Sequence, residues 1–130
     1  MSKVVPNNME EIRKHKDTCS KILEISPKIR YVGMINMFGK TIAASIRKGM
    51  RPLFRPEEAR DEFFLTANRE SLRKTFATSL GKNNFTLTVH EKVKIVSFSS
   101  DTVIFYITVE KDTTYDEIVK IVEAASKLRT

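Results

Sequence analysis

The chain has 130 residues, 41% of them hydrophobic and 30% charged, with four glycines, four prolines, one cysteine and a formal net charge of +7. That length suits one domain burying roughly two-thirds of the surface its unfolded chain exposes, and the composition excludes disorder over most of the length, an internal disulfide and a cysteine-based zinc site. No run approaches the roughly 18 apolar residues needed to cross a bilayer and residues 1–8 lack the apolar core of a signal peptide, so a reducing, cytoplasmic setting without membrane insertion is expected.

Asn8 and Glu11 have the spacing of a capping box, which predicts a helix start after a flexible segment over residues 1–8, with one domain over 9–130. Met9, Ile12, Cys19, Ile22 and Leu23 recur at helical spacing as a core-facing stripe. Ser26 and Pro27 end this helix, because the residue before proline avoids the helical region. Residues 29–36 are β-branched, aromatic and apolar on both faces, which predicts a central strand covered on both sides. A turn with Gly39 leads to a returning strand over 41–47, and residues 48–55, with Gly49 and Pro52, read as a loop.

Pro56, Glu57 and Glu58 open a long helix, since proline fixes a helical φ and the acids answer the dipole. It carries Ala59, Phe63, Phe64, Ala67, Leu72, Phe76 and Leu80 as apolar positions and ends at Gly81 in a left-handed conformation. Over 85–90, Phe85, Leu87 and Val89 alternate with Thr86, Thr88 and His90, the pattern of a half-buried edge strand. Strands over 92–99 and 102–109 follow, split by Ser100 and Asp101, and the last is apolar on both faces. Thr114 and Glu117 form a second capping box ahead of a stripe of Tyr115, Ile118, Ile121, Val122, Ala125 and Leu128. The order places the chain in the α+β class, α-β-β-α-β-β-β-α, as a five-stranded antiparallel sheet ordered 2-1-5-4-3 with flanking helices.

Charge is concentrated in one stretch. Lys28, Arg30, Lys40, Arg47, Lys48, Arg51 and Arg55 lie between Ile25 and Pro56 with no acid among them, and elsewhere cations and acids balance. Arg47, Lys48, Arg51 and Arg55 form a candidate anion site for nucleic acid or an acidic protein surface. The plainer reading is that Lys28, Lys40 and Arg47 are solvated strand-end charges, with Arg55 and Arg60 partnering acids on the following helix. His15 and His90 have no second ligand nearby in sequence, Cys19 reads as a buried small hydrophobe, and no metal or cofactor is expected. Phosphate loops, GxSxG and HExxH motifs and dinucleotide glycine patterns are absent from the sequence, so no enzyme is expected. Phe63, Phe64, Phe76, Phe85, Phe98 and Phe105 read as core, the alternative being the lining of a ligand pocket.

The element order, the hairpin YVGMINMFGKTIAAS and the closing segment VKIVSFSSDTVIFYITVEKDTTYDEIVKIVEAASKL resemble the roadblock/dynein light chain superfamily, a profilin-like fold, over about residues 9–128. The KIRYVGMIN strand and the basic loop from Gly49 to Pro52 look most similar to archaeal roadblock-like proteins. The resemblance implies a homodimer formed through Phe85, Thr86, Leu87, Thr88, Val89 and His90 with the helix from Pro56 to Leu80, including Arg69 and Arg73. It also implies a non-enzymatic adaptor that regulates or scaffolds a small GTPase. An anion-binding module using the basic 40–55 segment and a small-molecule sensor are the competing readings.

Overall fold

The computed structural model of the chain describes residues 4–128. In chain order the elements are α1 (Val4–Leu23), β1 (Ile29–Asn36), β2 (Thr41–Ile46), α2 (Pro56–Lys74), α3 (Ala77–Leu80), β3 (Thr86–Val89), β4 (Val93–Ser100), β5 (Val103–Glu110) and α4 (Tyr115–Leu128). The strands form one antiparallel sheet in the order β2-β1-β5-β4-β3, as the pattern of hairpins and one long crossover predicts.

Alternation along the central strands builds two unlike faces. Val32 and Met34 of β1, Val96 and Phe98 of β4, and Phe105, Ile107 and Val109 of β5 point to one side. There they meet Cys19 and Ile22 of α1 and Ile118, Ile121, Val122 and Ala125 of α4 in the larger core. The opposite side presents Ile35, Ile95, Ile104 and Tyr106, covered by Phe63 and Ala67 of α2. A register shift between Ile29 and Tyr31 turns the start of β1, so Ile29 joins the larger core while Tyr31 faces α2. Tyr31 stacks on Phe63 at 6.4 Å between ring centroids, and Phe63 meets Tyr106 edge-on at 4.9 Å.

Several expectations need correction. α1 begins at Val4, so Asn8 lies inside it and is not its cap. Proline is tolerated at Pro6 because the first amides of a helix have no intrahelical acceptor to lose. Residues 1–3 of the segment expected to be flexible fall outside the described residues. The long helix expected to reach Gly81 breaks after Lys74. The Thr75 hydroxyl donates to the Leu72 carbonyl at 2.7 Å and the Thr75 and Phe76 amides bond back three residues, a tightening that interrupts the α-helical ladder. The single turn of α3 follows, and Gly81 ends it at φ +82°.

The apolar positions expected along that single long helix are mostly not core. Phe63 and Ala67 are buried, whereas Phe64, Leu72, Phe76 and Leu80 are between 50% and 72% exposed. Met9 and Ile12 of α1, Tyr115 of α4 and Val89 of β3, also expected on buried stripes, are exposed as well. Gly39 sets the height of α2 over the first hairpin. Its φ is +84° and a β-carbon there would stand 2.8 Å from the Phe64 backbone, so the turn can lie against the helix only without a side chain.

Candidate functional site

β3 occupies one edge of the sheet. It pairs with β4 from Thr86 opposite Ser97 to Val89 opposite Lys94, and its other side has no strand partner among the described residues. Phe85 and Leu87 pack against the larger core, with Phe85 6.4 Å from the Tyr115 ring. His90 falls just past the strand, its amide donating to the Val93 carbonyl at 2.9 Å in the turn.

The outer surface of α2 carries further apolar area. Phe64, Leu65 and Leu72 share an outward stripe by helical spacing, and Phe76 and Leu80 follow beyond the break. Exposed apolar side chains in such a row mark a place where another surface gains by covering them. Arg73, Leu80, Phe85, Leu87 and Tyr115 border one depression of about 490 Å³, which brings Arg73 together with the edge strand. Arg69 is exposed on α2 and acts electrostatically on Tyr106.

The inner side of α2 is fixed by polar pairs that the sequence reading missed. Ser99 donates to the buried Glu70 carboxylate at 2.6 Å, and the Tyr106 hydroxyl donates to Glu62 at 2.7 Å. Burial, then the Glu62 bond, holds the Tyr106 phenol well above its ordinary pKa, so it remains a donor. Glu62, Thr66 and Glu70 recur every four residues beside Phe63 and Ala67, and that spacing was the available signal.

The four basic residues have different partners. The Arg47 guanidinium donates to the carbonyls of Ile29 at 2.7 Å and of Leu23 and Ser26 at 2.8 Å, so it ties the end of α1 to the sheet. Arg55 pairs with Glu58 at 3.5 Å, and the Arg55 amide, then its guanidinium, lowers the Glu58 pKa. Lys48 and Arg51 are exposed. Lys28 meets Glu117 at 3.2 Å, and Arg30 meets Glu110 at 3.2 Å.

Cys19 is fully buried, and burial pushes its thiol up to about 12, which removes the thiolate needed for nucleophilic chemistry. His15 is half-buried and His90 exposed. Among the described residues no three His, Cys, Asp or Glu side chains converge as a metal site, and no helix is long and apolar enough to cross a membrane.

No family model matches the chain, and no curated protein matches it. Solved structures do. The gliding protein MglB of Thermus thermophilus superposes with a TM-score of 0.71 at 13% identity, over 89% of this chain and 85% of that one. A roadblock/LC7 domain from Streptomyces avermitilis matches with a TM-score of 0.61 at 9% identity, over 86% of this chain and 94% of that one. The chain has the roadblock/LC7 fold. Schizosaccharomyces pombe profilin, with a TM-score of 0.61 at 19% identity over 87% of this chain and 94% of that one, extends the likeness to profilin-like folds. On this framework the β3 edge and the outward stripe of α2 are uncovered among the described residues.

Proposed function

We propose that the chain is a non-enzymatic, cytoplasmic homodimer, one domain that acts as an adaptor or regulator of a small GTPase. One observation carries the pairing: an edge strand open on one side lies by exposed Leu80, with Phe64, Leu65, Leu72 and Phe76 exposed along the preceding helical region. In a symmetric pair, β3 would add to β3 of a second copy while the α2 surfaces close over the seam. The GTPase role rests on the roadblock resemblance, because this chain contains no GTPase-contact motif that can be matched residue by residue.

The test is a pull-down of the small GTPases of the protein's own host in GDP-bound and GTP-analogue-bound forms, alongside a Phe64→Glu variant. Retention of a GTPase in one nucleotide state, lost with Phe64→Glu, is the expected result. Failure of every GTPase to bind removes the GTPase role and leaves the adaptor reading.

A second reading takes Lys48 and Arg51 as an anion-binding pair, favoured by their exposure in an acid-free loop. Polyanion affinity then falls steeply with salt and drops uniformly across sequences in Arg51→Glu. An unchanged affinity rejects the pair.

A further inference from the structure

The sheet face under α2 is incompletely covered. A cleft of about 440 Å³ lies between β1, β2, the start of α2 and residues 50–54. That volume is within the roughly 300–1,000 Å³ range of small-molecule sites. Its wall is mainly apolar, built by Tyr31, Ala44, Ile46, Leu53, Phe54 and Phe63.

Two residues of this wall differ from the rest. Thr108 is 1% exposed and its Oγ1 has no hydrogen-bond partner within the protein. Arg30 Nε is also buried and unpartnered, although its Nη1 meets Glu110 at 3.2 Å. Both residues line the cleft, and so does the exposed Arg51. Native folds pair nearly all buried polar atoms, because an unpaired one forfeits its hydration without return. Two lining residues with such atoms on one apolar wall point to a group that completes them from outside the chain.

The available chemistry narrows that group. Arg51 supplies positive charge, and the free Nε edge of Arg30, whose Nη1 already meets Glu110, together with a hydroxyl suits a carboxylate. A phosphate-rich ligand would meet too few donors on so apolar a wall. We propose that the cleft binds a small amphipathic carboxylate, with its apolar body against Phe54, Phe63 and Tyr31 and its carboxylate toward Arg30 and Thr108. Rotation about the Thr108 χ1 bond moves the hydroxyl among staggered positions without backbone movement. The loop beside the cleft is tied near its ends, by Arg47 to three carbonyls and by Arg55 to Glu58, and Gly49 close to its start has open space around it. The cleft is assembled within one chain, so the inference stands apart from dimerisation and from any GTPase.

The test is an NMR titration of ¹⁵N-labelled protein with 4-phenylbutyrate and, separately, with 4-phenylbutanol. The carboxylate is expected to produce saturable shifts at Arg30, Phe54 and Thr108, and the alcohol to bind at least tenfold more weakly. Ala44→Leu, which fills the cleft, is expected to abolish binding. Thr108→Val, which keeps the side-chain shape, is expected to weaken it at least threefold with an unchanged spectrum elsewhere. The inference is overturned by an absence of saturable shifts with 4-phenylbutyrate, by equal affinity for alcohol and acid, or by shifts confined to the outer stripe of α2. Unchanged affinity in both Thr108→Val and Arg30→Met overturns it as well.

Discussion

The two faces of the sheet are built to different standards. On the α1/α4 face, β-branched and aromatic side chains of the central strands interlock with two helices and leave Ile107, Val109, Ile118 and Ala125 wholly inaccessible. On the α2 face one helix lies over a smaller cluster, held partly by Glu62–Tyr106 and Glu70–Ser99 hydrogen bonds, and a cleft remains beside it. The first arrangement supplies stability. The second leaves apolar surface and unpaired polar atoms available for contacts with other molecules.

Substitutions can break this comparison. Phe105→Ala on the closed face should cost about 3–5 kcal/mol in urea unfolding, because a packed ring leaves a cavity. Phe64→Ala on the open face should change the stability of the isolated chain by no more than about 0.5 kcal/mol while weakening self-association. Similar losses from the two would mean that the faces do not divide the work. Gly39→Ala should cost more than about 1 kcal/mol, since it demands a positive φ of an L side chain and drives a β-carbon into the α2 backbone. Its effect measures how firmly the hairpin and α2 are joined.

A smaller effect of opposite sign sharpens the contrast. Thr108→Val should raise stability by about 1 kcal/mol, because it removes a buried hydroxyl without a partner and keeps the volume. A loss of stability would show that the hydroxyl is satisfied in the native state. The smallest effect is electrostatic. The Glu117 carboxyl is held below its usual pKa by the Thr114 amide first and then by Lys28, and Glu58 is held low by Arg55. A lowered folded-state pKa gives stability that is present above the unfolded value, near 4.3, and lost as pH falls through the folded one. Glu117→Gln should therefore flatten the decline of the urea midpoint between neutral and strongly acidic pH.

What the sequence disclosed follows from which forces are local. The strands β1 and β5 were legible because runs apolar on both faces have few other uses. The start of α4 was legible because Thr114 and Glu117 satisfy each other's amides, at 2.8 and 3.2 Å, within four residues. Asn8 and Glu11 have the same spacing, yet Val4, Val5 and Pro6 carry the helix past them. Arg47 could not be read as a tie, because its three carbonyl acceptors lie 18 to 24 residues away and a carbonyl has no residue type. Phe64 and Leu72 were misread for a related reason. Periodicity places them on a helix, but which side meets the sheet is decided by Phe63, Ala67 and Glu70 together with Gly39. The cleft at Thr108 needs four elements and a loop, and no single segment carries its signal.

The central claim is that the β3 edge and the outward stripe of α2 are covered by a second copy of the chain. Light scattering over a wide concentration range, on the native chain and on Phe64→Glu, tests it most directly. The account predicts twice the 14.9 kDa chain mass for the native protein, independent of concentration, and the single mass for the variant. A native protein that stays at the single-chain mass throughout would contradict it.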